Sequence, residues 1–247
     1  MLVIHRPAHD EDHSHPMRDD MRPHYPELVE AGDLSTALLQ QSTEDGAALV
    51  FEADQHPHSA RVLSARGVVE VDLACRERSF QLSLWSRGVN LARGDTADIT
   101  EVVGICRAWE AGARLADLRA GWPLLSYTEL AEAHERGDAV EVKWRMLLED
   151  GDPHLRPLVE AALIEPRLRE LFPFTSRRAL LFSRCTGYPY LSVPPVVVPL
   201  GAGRYRVVGP DDTVLGEDDA AGAVAVTVAA LPADCGPAVP GTAEDFH

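Results

Sequence analysis

The chain has 247 residues, 45% of them hydrophobic, and 39 acidic against 23 basic side chains give a formal net charge of −16. That length and hydrophobic content support a buried core, in one large domain or two small ones. The acidic balance argues against sequence-independent nucleic-acid binding, which needs clustered Lys and Arg to release counterions.

The first stretch, His5 to Pro26, carries His9, Asp10, Glu11, Asp12, His13 and His15 with almost no apolar periodicity, so residues 1–32 read as a disordered His/Asp-rich tail. A metal recruited by His9, His13 and His15 is weighed against plain solvation; folded metal sites need ligands fixed from behind, which a tail rarely supplies. No run near Met1 is apolar enough for a signal peptide, and nowhere do about 18 consecutive apolar residues predict a membrane span. Cys75, Cys106, Cys185 and Cys235 fall far apart with no metal-ligand spacing, so a reduced, cytoplasmic protein is expected.

Residues 33–125 read as an N-terminal α+β half. A helix is predicted from Leu34 to Thr43, entered at Asp33, with Leu34, Leu38 and Leu39 on its apolar face. Strands follow at Ala48–Glu52, Ala60–Ser64, Val68–Leu73 and Phe80–Trp85. In the last, Phe80, Leu82 and Leu84 share one face, and Trp85 breaks the polar one. Trp85 with Arg87 is either covered by another element or forms the wall of a binding groove. A short strand at Val89–Ala92 leads to a helix from Asp98 to Ala111, with Val102, Val103, Cys106 and Trp109 on its buried stripe.

Residues 126–172 are expected to form a helical connector. Ser126 and Glu129 have the spacing of a capping box, Ala139–Glu149 fits a helix better than a strand, and His154–Leu163 gives another. Lys143, in the second of these, is the only lysine in the chain.

Residues 173–232 form a C-terminal α+β half, running through a strand at Leu180–Ser183, a Val/Pro-rich extended segment, strands at Arg204–Val208 and Val214–Gly216, and a final helix. Gly94–Asp98 and Gly216–Ala220 each set an acidic cap before an apolar helix. The fold class expected is therefore α+β, with mostly antiparallel sheets, packed helices and an internal duplication of a strand-strand-strand-helix unit as an open possibility. After Pro232 the chain turns Pro- and Gly-rich, and residues 233–247 are expected to be disordered.

The stretch that concentrates chemistry is Ser183-Arg-Cys-Thr-Gly-Tyr-Pro-Tyr190. Arg184, Cys185 and Tyr188 are the candidate catalytic residues; Tyr190, Trp85 and Arg87 are the candidate substrate-binding residues. Arg184 and the two phenols suit an anion or a carbonyl, Arg184 favours a Cys185 thiolate, and His134 or His154 offers a proton near neutral pH. The competing reading is that Tyr and Pro brace a corner and Cys185 packs as a small hydrophobe. A phosphate-cradling Cys with Arg six positions on fails because position 191 is Leu, and no serine elbow, zinc helix, P-loop or dinucleotide turn appears. No metal and no cofactor is expected.

Leu181–Tyr190, with Leu171-Phe-Pro-Phe174 and Gly121-Trp-Pro123, resembles an actinobacterial domain-of-unknown-function family numbered 6193, whose members are labelled natural-product biosynthesis proteins. The resemblance covers roughly Leu34 to Leu231. It implies a biosynthetic setting and no particular reaction. The expectation is a cofactor-independent protein that acts on or holds a small intermediate or modified peptide, by cyclisation, isomerisation or elimination if it is an enzyme. The alternative is a non-catalytic accessory protein that binds a partner enzyme or precursor peptide. Neither reading expects nucleic-acid or membrane partners.

Overall fold

The computed structural model describes residues 23–44, 49–53, 56–149 and 151–246; His9, His13 and His15 lie outside them. The chain divides into two compact units. The first comprises the described residues up to Ser86 together with Asn90–Glu135, and the second comprises Arg87–Val89 with Arg136 onward. The helical connector is thus shared between the units.

In the first unit, α1 (Pro26–Ala31) and α2 (Leu34–Glu44) precede a five-stranded antiparallel meander, β1 (Phe51–Ala53), β2 (Ser59–Ser64), β3 (Gly67–Leu73), β4 (Phe80–Ser86) and β5 (Val89–Thr96). α1 was not anticipated: Pro26 opens it, where a missing N–H costs nothing, and Leu28 is buried. Asp33 accepts from the Thr36 N–H at 2.8 Å, as its position at the start of α2 predicts. Leu34 and Leu38 are fully buried, one turn apart, but Leu39 is 42% exposed because it lies about 100° further round the helix. β4 alternates as expected, with Phe80, Leu82 and Leu84 buried and Gln81 exposed. α3 (Ile99–Glu110) is capped by Asp98, which accepts from the Thr100 N–H at 2.8 Å. It buries Val102, Val103, Ile105, Cys106 and Trp109, and large apolar side chains so buried are worth about 1.5–3 kcal/mol each.

α4 (Leu115–Gly121) and α5 (Glu129–Arg136) complete this region. The α5 cap is Thr128, whose hydroxyl accepts from the Ala131 N–H at 3.1 Å. Ser126, the expected cap, instead bridges Arg93, exchanging backbone bonds of 2.7 and 2.9 Å.

The second unit repeats the plan with α6 (Ala139–Glu149), α7 (Arg156–Ile164) and α8 (Pro166–Arg169) ahead of β6 (Phe172–Ser176), β7 (Ala179–Ser183), β8 (Ser192–Gly201), β9 (Arg204–Val208) and β10 (Val214–Asp218). These strands again form an antiparallel meander, and α9 (Ala220–Ala230) follows. β6 was not anticipated. Pro173 lowers its strand signal, and the sheet order shows why it is tolerated: β6 is an edge strand, with one side unpaired in the sheet. The core gathers Trp144, Leu158, Leu180, Phe182, Tyr205 and Val207. Trp144 is held in register by its indole N–H, which donates to the carbonyls of Arg169 and Leu171 at 3.1 and 3.2 Å.

The expected C-terminal disorder is corrected. Val239 makes a parallel bridge to Cys185. Its N–H donates to the Arg184 carbonyl at 3.0 Å, and its own carbonyl accepts from Thr186 at 3.1 Å. Ala243–Phe246 closes as a 3-10 helix. Pro and Gly here build a strap rather than free chain, because the β7–β8 loop offers unpaired amides and carbonyls that the strap satisfies. No described helix is long and apolar enough to cross a membrane.

Candidate functional site

The Arg184–Leu191 loop joins β7 to β8. The Arg184 N–H donates to the Leu191 carbonyl at 3.1 Å, closing its base. Five further bonds fasten it: Val239 to the Arg184 carbonyl at 3.0 Å, Thr186 to the Val239 carbonyl at 3.1 Å, Gly187 to the Gly241 carbonyl at 2.8 Å, Ala243 to the Pro189 carbonyl at 2.8 Å, and Tyr188 to the Gly88 carbonyl at 3.0 Å. Gly187 is required by this crowding, since a Cβ there would run into the Arg87 carbonyl.

Cys185 is fully buried at the centre of the loop. Its Sγ accepts from the Leu191 N–H at 3.0 Å and faces the carbonyls of Gly187 at 3.5 Å and Pro189 at 3.7 Å. The Ser183 hydroxyl accepts from the Cys185 N–H at 3.0 Å and donates to its carbonyl at 2.7 Å. Every polar atom of Cys185 therefore has a partner within Ser183–Leu191, which is the geometry of a packing thiol and gives no approach to an attacking one.

Arg184 is half-buried, with its guanidinium carbon 5.4 Å from the centre of the Phe246 ring. Its Nε is buried without a hydrogen-bond partner among the described residues. Cys235 lies close enough for the two to interact: burial pushes the Cys235 thiol up, against the pull of Arg184 and Arg167.

The aromatic candidates form a ledge. Tyr190 lies 4.5 Å from Phe174 and 5.7 Å from Phe172 in tilted contacts, and Tyr188 meets it edge-on at 5.8 Å. Burial raises the Tyr190 phenol above its ordinary value, with Cys185 adding to the effect. Tyr188, by contrast, is 62% exposed. Phe174 was missed from sequence because it sits in the unrecognised edge strand.

Arg87 is exposed at positive φ, 47°, in the tight β4–β5 turn, and that turn groups with the second unit. Trp85 belongs to the first unit. It is half-buried on β4, and its indole nitrogen is buried with no partner among the described residues. Counted through the two meanders, the Arg184–Leu191 loop corresponds to the β2–β3 turn, whereas Trp85 ends β4. His134 lies on α5 of the first unit. His154 is exposed in the turn before α7, where its carbonyl accepts from the Tyr205 hydroxyl at 2.9 Å.

The second unit also holds a cleft of about 410 Å³ between α6, the loop after it and the β6–β7 hairpin, with Lys143, Asp152, Arg177 and Arg178 in its wall. The first unit has a more polar one of about 550 Å³ beside β4 and β5, lined by Gln81, Ser83, Arg93 and Asp95. Among the described residues no three His, Cys, Asp or Glu side chains are grouped to hold a metal ion.

No curated protein and no solved structure matches the chain. Residues 138–242 match the model of a family of unknown function, DUF6193. The match is narrower at its start than the expected span from Leu34, and it runs past Leu231 into the strap. It thus takes in the helices and sheet of the second unit and the strap as far as Thr242.

Proposed function

We propose that this is a cytoplasmic, cofactor-independent binding protein of natural-product biosynthesis, whose second unit holds a small intermediate or a segment of modified or precursor peptide on the Tyr188–Tyr190–Phe174 ledge. The biosynthetic setting and the actinobacterial source rest on the family resemblance. The observation that carries the binding reading is the contrast within one loop: Cys185 is enclosed and fully hydrogen-bonded, while Tyr188 stands 62% exposed on an anchored backbone. A rigid aromatic at an exposed position presents contact area at little entropic cost. Enclosure of the one thiol in the cluster removes covalent catalysis by Cys185, which favours the accessory role.

Gene deletion with metabolite profiling tests this. The expected result is loss of final product without accumulation of a discrete intermediate, restored by the wild-type chain and not by Tyr188→Ala. Accumulation of one intermediate that the pure protein converts unaided overturns the accessory reading.

A further inference from the structure

The cleft beside α6 carries a charge that the rest of the chain does not prepare for. Lys143, Arg177 and Arg178 line it, on a protein whose formal net charge is −16. Among the described residues the one carboxylate in its lining is Asp152, and that is already bound to Arg178 at 3.3 Å. Lys143 and Arg177 make no ion pair or hydrogen bond to any described residue. Lys143 is half-buried, and burial pulls its ammonium below the ordinary value, with no charge among the described residues contributing. A half-buried cation with no counter-ion among the described residues is costly to keep, and a bound anion would relieve it.

The backbone adds a second observation. Ser176 pairs with Ala179, so Arg177 and Arg178 are the two residues of a tight hairpin, and both have positive φ, 49° and 67°. Asn and Gly are the residues that suit such a turn. Two arginines held there are conformationally unfavourable for the fold alone, and backbone outliers of this kind concentrate at ligand sites. Opposite them, Met146 and Leu147 supply an apolar wall. The cleft volume falls within the roughly 300–1,000 Å³ of small-molecule pockets.

We infer that this cleft binds a small organic acid, with its anionic group held by Lys143, Arg177 and Arg178 and its hydrocarbon part lying on Met146 and Leu147. The site shares no residue with the aromatic ledge and stands or falls separately from it.

Because Lys143 is the only lysine, reductive methylation of the intact chain with a ¹³C label places one side-chain reporter in the cleft, distinguishable from the N-terminal amine. Titration of this protein with octanoate, octanol and inorganic phosphate separates the parts of the inference. Octanoate is expected to shift the Lys143 signal and to bind at least about tenfold more tightly than octanol, which lacks the charge, or phosphate, which lacks the hydrocarbon. Calorimetric titration of unlabelled protein should show octanoate affinity falling about tenfold or more in Arg177→Gln and in Lys143→Gln. It should be unchanged in Tyr188→Ala. Equal binding of octanoate and octanol, no binding of octanoate, or octanoate binding indifferent to both Lys143→Gln and Arg177→Gln overturns the inference.

Discussion

Set side by side, the two units are variations on one plan: helices, a five-stranded antiparallel meander, and a helix opened by an aspartate. The closing helices align when counted from their caps. Val102, Val103 and Cys106 of α3 fall at the same offsets from Asp98 as Ala223, Val224 and Thr227 of α9 from Asp219, and all six are buried. The difference lies at one turn. β2 and β3 are joined by Ala65 and Arg66, whereas β7 and β8 are joined by the Arg184–Leu191 loop with its strap. Repeating the plan takes only a pattern of apolar positions; the chemistry-bearing residues enter where one copy lengthens a connection.

The largest effects should come from the two buried tryptophans. Trp109→Ala and Trp144→Ala are each expected to cost about 3–5 kcal/mol. Replacement by Phe should separate them. The Trp144 N–H serves two carbonyls, so Trp144→Phe leaves buried acceptors short of a donor, at a further cost of about 1–3 kcal/mol. The Trp109 N–H has no partner among the described residues, so Trp109→Phe loses packing and some of the Arg66 stacking but no hydrogen bond. Denaturant midpoints of the four variants check this; equal costs for the two Phe variants would remove the distinction.

Next come the two arginines at corresponding connections. Arg66 stacks on Trp109 at 4.0 Å and donates to Glu135 and the Ala113 carbonyl. Burial lowers its pKa, while Glu135 opposes the shift. Arg184 has a ring beneath it and no carboxylate partner among the described residues. Arg66→Ala should therefore cost about 2–3 kcal/mol, as expected for hydrogen bonds to charged groups. Arg184→Ala should cost about 1 kcal/mol, as for a partly solvated cation–π contact. A larger loss at Arg184 than at Arg66 would mean that the longer loop, not the short turn, carries the stability of its unit.

These contrasts also show what was legible in the sequence. Phe80–Trp85 and Val102–Trp109 were readable because a half-buried strand and a one-faced helix impose periods of two and 3.6. The acidic caps were readable because helix amides need acceptors. β6 was not, since Pro173 is tolerated only at an edge and sheet order is not a local property. The strap was misread because its order comes from bonds to Arg184, Thr186 and Gly187, some fifty residues away in sequence. Cys185 stood out as a candidate catalytic residue, but local sequence does not distinguish a thiol held by carbonyls from one held open. Lys143 was noted only as the sole lysine; its cleft needs the β6–β7 hairpin, which the missing β6 concealed.

Cys106 and Thr227 give a smaller, pH-dependent comparison. Burial pushes the Cys106 thiol from an ordinary value of 9.0 up to about 12. The folded state therefore holds this proton where the unfolded state releases it. The stability it contributes is fully present below pH 9 and is lost as pH rises from about 9 to about 12. Thr227 closes its hydroxyl on the Ala223 carbonyl at 2.8 Å and has no proton to lose in that range. Cys106→Val should flatten the alkaline fall in unfolding free energy, and Thr227→Val should leave its slope unchanged. An unchanged slope in Cys106→Val would place the alkaline loss elsewhere, in the raised tyrosines Tyr25, Tyr190 and Tyr205.

The smallest expected effect tests the repeat most directly. Asp98 accepts from the Thr100 N–H at 2.8 Å, and Asp219 accepts from the Gly222 N–H at 3.0 Å. Each satisfies one orphan amide and places a negative charge against the positive end of a helix. Replacing either by Ala should cost about 1 kcal/mol, and replacing either by Asn, which caps equally well, should restore most of that loss. What Asn leaves unrecovered is the charge contribution, about 0.3–1 kcal/mol, and this part alone should shrink with added salt. α9 is poorer in large side chains than α3 and carries Gly222 in its first turn, so it has less packing to hold its start in place. If anything, then, its cap should matter more. An Asp219→Ala variant as stable as the wild type, beside an Asp98→Ala variant that loses the expected amount, would mean that the two acidic caps agree in composition without sharing a role.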